Sequence, residues 1–314
     1  MNQKLQNALA VLILLVLFVI LVSMVYIYLP VNVEWKPGGP FSVGVDWKDA
    51  FRPAIFRMFN GEQIYGHGFY NPPWTLLPLL PIALLSPGLG AAVIFVLSIY
   101  AFAFVSLKLK KNLPATIALI LSTVAVGGYL NGNVDFLVIL GLIMPPWLGL
   151  FFVLMKPQLS FGVVAYWLVE AWQKGSAAAT EPGTSPVAFL KRDWPSQWAV
   201  IQRHCRPVFL TFAPVTAAYL LSFLIWGFWP LYYENRTADP FNDSLWPHGL
   251  FIGMVILYRA IKSKDFRLAI IAGPFLSPYV TNHGWAVALL GIGNFETIIV
   301  AMALWVFRLL FRTV

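Results

Sequence analysis

The chain alternates long apolar runs with short polar connections. The first run, Ala8 to Leu29, is unbroken and long enough to span a bilayer at about 1.5 Å rise per residue. Only Lys4 precedes it, which predicts an uncleaved span with its N-terminus in the cytoplasm. A polar loop from Pro30 to Pro73 follows on the outside. Within that loop Phe51, Ile55, Phe56 and Phe59 recur at helical spacing, so Asp49 to Asn60 is expected to form a short amphipathic helix lying at the interface.

Thr75 to Leu85 is apolar but short, which predicts a partial or re-entrant helix before a span over Ala91 to Leu107 that ends in KLKK. Pro114 to Tyr129 returns outward as one span. Two short apolar stretches, Val134 to Ile143 and Trp147 to Met155, meet at Met144-Pro145-Pro146 and predict a hairpin that brings Asn133 and Lys156 together at the outer boundary. Further spans are read over Phe161–Trp172, Val208–Trp229, Gly249–Ile261, Leu268–Leu276 and Trp285–Phe307. A cytoplasmic loop covers 173–207, with an Ala, Ser, Gly and Pro-rich stretch that reads as mobile. The expectation is a single all-α polytopic membrane domain over 1–314, with about ten transmembrane helices plus the partial one and both termini cytoplasmic.

Composition agrees. The chain is 59% apolar and 11% charged, with mean hydropathy +0.75, too little polar surface to cover a water-soluble globule. Its 13 Trp and 12 Tyr suit the headgroup level. The net charge of +8 fits an inner-leaflet bias: the topology leaves only six of the 21 Lys and Arg outside (Lys36, Lys48, Arg52, Arg57, Lys156, Arg236). No basic stripe lies outside short loops, so nucleic acid is not an expected partner. The lone Cys205 excludes an internal disulfide, and there is no Walker loop, HExxH or DxD spacing.

Candidate chemistry collects on the outer side. Asp46, after Gly44-Val45, can serve as a general base for a hydroxyl at the water–membrane boundary; the bland alternative is a helix cap, which suits Asp49 better. Lys156, in MKPQ, either snorkels or binds an anion, with Gln158 as an added donor. Arg52 and Arg57, about one and a half turns apart, do not share a face fully; at least one can meet a lipid phosphate, and the alternative for the other is a solvated charge. Asn131-Gly132-Asn133 opens a short helix, as a cap or as a carboxamide aimed at a sugar hydroxyl or anion. His283 falls on the same side, as a structural residue or a phosphate donor. Glu296 reads as a mid-span acid in need of a partner.

Taken in order, DWKDAFRPAIFRMFNGEQIYG, YNPPW, NGN, KPQ and LSPYVTNHG resemble the integral-membrane glycosyltransferases of the C-type (GT-C) fold. Among these the chain is most similar to family 87, which includes polyprenyl-phosphate-mannose-dependent mannosyltransferases. The family pattern is more often Y-P-P and G-Q-x-N where this chain has Tyr70-Asn71-Pro72-Pro73 and Asn131-Gly132-Asn133-Val134.

The resemblance implies inverting transfer of a sugar, mannose first, from a polyprenyl-phosphate donor to a lipid, glycan or protein acceptor on the extracytoplasmic face, without a metal or other cofactor. Asp46 would be the base; Lys156 and His283, with Arg52 or Arg57, would stabilise the phosphate; Asp49, Tyr70, Asn131, Asn133 and Gln158 would bind substrate. The rival readings are a transporter or flippase of a lipid-linked sugar, and a non-catalytic membrane subunit.

Overall fold

The computed structural model describes residues 2–34, 36, 39–179, 194–233 and 239–311, and among them there is helix and no strand. Arg236 and most of the Ala, Ser, Gly and Pro-rich stretch lie outside the described residues.

Helix α1 (Gln3–Tyr28) starts where the Asn2 side chain accepts from Lys4 N and ends at the Leu29-Pro30 step. Nearly all its Leu, Ile and Val side chains are exposed, as lipid-facing residues must be. It runs antiparallel to α4 (Pro87–Lys108), with Phe18 edge-on to Tyr100 and the Tyr100 hydroxyl donating to the Leu14 carbonyl. Between them lie a π-helical turn (Trp47–Phe51) and α2 (Arg52–Phe59), the expected interfacial helix, with Phe51, Ala54 and Ile55 buried and Phe56 and Phe59 exposed. The 3₁₀ helix Pro73–Leu79 and α3 (Leu80–Ala83) form the expected short apolar segment.

The single span expected over Pro114–Tyr129 is broken. Helix α5 (Leu113–Ile120) stops at Leu121, and α6 (Thr123–Asn131) starts 53° away because the Ser122 hydroxyl oxygen accepts from Ala125 N and so opens a new helix. Helices α7 (Asp135–Gly141) and α8 (Pro146–Val153) form the expected hairpin, crossing closely where Gly141 backs onto Gly149 and Phe152. Helix α9 (Pro157–Ala179) descends beside α10 (Trp194–Trp226), which is helical through Trp194–Pro207, where the sequence reading had loop. Helices α11 (His248–Ser263) and α12 (Phe266–Phe275) follow, the latter pressed on α9 through Gly162 and Gly273.

The last expected span is also two elements. Helix α13 (Ala286–Gly291) ends at Ile292-Gly293, and α14 (Asn294–Phe311) begins there. Lys111 Nζ donates to the Ile292 carbonyl and to Thr297 Oγ1, and Asn112 N donates to Asn294 Oδ1, so this break sits at the Lys111 end of the bundle. Trp305 Nε1 then donates to the Leu121 carbonyl, which makes α14 parallel to α5. The C-terminal end of α14 therefore points away from the Lys111 end, where α1 begins. The sequence reading put both termini on one side; the described start of α1 and the described end of α14 lie at opposite ends of the bundle. Glu296 is likewise not mid-span: it is exposed in the first turn of α14.

Among the described residues four helices, α1, α4, α10 and α14, are long and apolar enough to cross a membrane, and the bent α5–α6 pair, counted as one span, makes a fifth. The protein is a helical membrane protein on that basis.

Candidate functional site

The site forms where the outer loop drops onto the end of α6. Gly44 and Gly132 both have positive φ (76° and 68°), and a Cβ on Gly132 would lie 2.8 Å from Gly44 Cα. Only glycines allow this approach. The Gly44 N–H donates to the Leu130 carbonyl at 2.7 Å, and Trp47 lies flat against Gly90 of α4, its indole N–H donating to the Pro87 carbonyl. Lys48 fixes the preceding strap: its ammonium donates to the carbonyls of Val31 and Val33 and to Ser42 Oγ, and burial pulls its pKa below the ordinary lysine value against the opposing charges of Asp49 and Glu34.

Asp46 occupies the N-cap position of the π-helical turn, yet its side chain caps nothing. Its Oδ2 instead accepts from Asn133 Nδ2 at 2.5 Å, while Asn133 Oδ1 accepts from Val134 N. Neither helix start carries a side-chain cap bond, and the two side chains pair with each other. Asp46 remains half-exposed.

Lys156 and Asp135 are joined at 2.6 Å, both almost fully buried. His283 Nε2 lies 3.5 Å from Lys156 Nζ, 3.7 Å from Asp135 Oδ2 and 3.0 Å from Thr281 Oγ1. Three separate elements make this cluster: the α7–α8 hairpin supplies its two ends, and a 3₁₀ turn (Asn282–Trp285) delivers His283. Gly127 and Gly128 admit the turn, since the His283 Cβ lies directly over them. Asn71 holds the other side, donating to the Met155 carbonyl at 2.7 Å just before Lys156 and itself steadied by the Tyr65 hydroxyl, which donates to the Asn71 carbonyl. Beneath the cluster a gap too tight to hold a water molecule is lined by Asn133, Asp135, His283, Ser98 and Tyr129, whose buried hydroxyl has no partner among the described residues.

Asp46, Asn133, Lys156 and His283 thus come to one end of the bundle, as the sequence reading requires. Asn131 and Gln158 are half-buried on the last turn of α6 and the first turn of α9, and Tyr70 is half-buried beside Asn71. Asp49 is exposed on the π-helical turn. The arginines do not join the cluster: Arg52 donates to the Leu85 carbonyl at 3.4 Å and covers the Phe56 ring, and Arg57 Nη1 is a buried donor without a hydrogen-bond partner among the described residues. Both lie along α2, whose register follows the burial of Ala54 and Ile55 rather than the needs of the site.

Asp135, Asn71 and Thr281 were missed. The signal for Asp135 was in NGNVD, an acid in the first turn of a short apolar helix whose hairpin partner ends in a lysine. Among the described residues no group of three or more His, Cys, Asp or Glu gathers as metal ligands do. No family model, no curated protein and no solved structure matches this chain.

Proposed function

We propose that the protein is an inverting glycosyltransferase that takes a sugar, mannose first, from a polyprenyl-phosphate donor. The observation that carries this reading is the half-exposed carboxylate of Asp46, fixed by Asn133, at the same end of the bundle as the buried Lys156–Asp135–His283 cluster. Such transfer needs one base and one cationic region for a leaving phosphate. The acceptor oxygen attacks the anomeric carbon and forms the new glycosidic bond as its proton passes to Asp46. The bond from that carbon to the phosphate oxygen breaks, and the electron pair leaves with the polyprenyl phosphate beside Lys156 and His283. Arg52 and Arg57 have no part in this step.

On this reading the protein crosses the membrane about ten times, with the site on the extracytoplasmic face. Asn133 orients the base, and Asn131, Gln158 and Tyr70 border the sugar. The acceptor is a lipid, glycan or protein hydroxyl.

The test is to reconstitute the purified protein in vesicles with polyprenyl-phosphate mannose, glucose or arabinose and to separate the products. A new glycoside of inverted anomeric configuration is expected from one donor. Movement of intact donor between leaflets, with no new glycosidic bond, would instead identify a flippase.

A further inference from the structure

We infer that Asp135 is a positioning residue that holds Lys156 charged and aimed at the leaving phosphate. The inference rests on the glycosyl-transfer reading and adds to it a group that the sequence pattern did not single out.

The argument begins from cost. Placing a lysine and an aspartate together in an apolar bundle removes both from water, and a buried ion pair stabilises a fold little or not at all relative to apolar side chains of similar size. Asp135 and Lys156 are nevertheless the closest ion pair among the described residues, and each is almost fully enclosed. Their chain neighbours Val134, Phe136, Leu137, Met155 and Leu159 are all buried, and the polar groups beside the pair are His283, Asn133, Ser98 and Tyr129. Burial of an ammonium without a counter-charge favours the neutral amine. A neutral amine at that position would offer no charge to a leaving phosphate. Asp135 supplies the counter-charge and takes one of the three ammonium hydrogens through Oδ1, while His283 Nε2 lies within reach of a second.

The cluster also has a built-in direction. Asp135 is fixed at the first turn of α7, and Asn71 clamps the backbone just before Lys156, so the ion pair sets the lysine between two immobile points. Oδ2 of Asp135 faces His283 Nε2, with Thr281 Oγ1 beyond it. The charged or titratable groups acting on this cluster are Asp135 from α7, His283 from the 3₁₀ turn, Asp46 from the outer loop and Asp243 from the connection before α11.

The experiment compares wild type with Asp135→Asn and Asp135→Glu. In Asp135→Asn, transfer is expected to fall at least tenfold at neutral pH, and the alkaline limb of the pH–rate profile to move down by about 1–3 pH units, the size of a lost charge partner. Asp135→Glu is expected to restore the limb. A profile in Asp135→Asn parallel to wild type overturns the inference, whatever the drop in rate.

A second readout needs no turnover: acetylation of Lys156 by acetic anhydride, followed across pH by mass spectrometry. Its midpoint is expected to move down by a similar amount in Asp135→Asn, and an unmoved midpoint overturns the inference. If wild type transfers no sugar, the glycosyl-transfer reading falls, while the acetylation profile still decides the role of Asp135.

Discussion

At the scale of single residues, the site depends on two glycines as much as on its charged groups. Gly132 allows the loop bearing Asp46 to touch α6, and Ala there would place a methyl against Gly44 at an unfavourable positive φ. Gly132→Ala is expected to cost about 1–3 kcal/mol, read as a lower thermal midpoint, and to depress transfer because Asp46 loses its place beside Asn133. Asn133→Ala removes the one hydrogen bond to the base seen here; a charged hydrogen bond of about 1.5–3 kcal/mol predicts roughly a ten- to hundredfold loss in transfer rate with little change in folding.

Asp46, Asn133, Lys156 and His283 were legible in the sequence because each stands within two residues of a Gly or Pro in a polar connection. The roles of Asp135 and Asn71 were not legible. Their meaning lies in contacts across the hairpin and to the Met155 carbonyl, which spacing along the chain does not specify. The arginines misled for the converse reason: helical spacing shows which side of α2 is polar, but not that the Leu85 carbonyl and the Phe56 ring occupy Arg52.

At the scale of elements, apolar run length located nearly every helix and missed the breaks inside them. Ser122 reads as an ordinary small residue within an apolar run until its hydroxyl is seen capping α6. The Ile292-Gly293 break is fixed by Lys111, from a helix end far away in sequence. Burial, with the positive charge of Arg267 second and Glu296 opposing, lowers the pKa of Lys111 to about 8 from 10.5. Since the unfolded chain keeps its proton up to the higher value, it binds more protons between those two pH values, and stability must rise with pH across that window. The thermal midpoint is expected to climb between pH 8 and 10, and Lys111→Met should flatten that climb. A wild-type midpoint falling steadily over that range would contradict the burial of this lysine.

At the scale of the whole molecule, the reversal at Ile292-Gly293 places the described start of α1 and the described end of α14 at opposite ends of the bundle. With Cys205 replaced by serine, cysteines introduced as Asn2→Cys and Phe311→Cys should label from opposite sides of sealed vesicles. Labelling of both from one side would restore the simpler topology. The same arrangement leaves Asp46 and Lys156 at one end, held by elements from the first, middle and last thirds of the chain. The most direct measurement is the initial rate of sugar transfer from polyprenyl phosphate by Asp46→Asn in vesicles, beside wild type at matched folding. The account predicts a loss of about a hundredfold or more, and a variant that transfers sugar at the wild-type rate would contradict it.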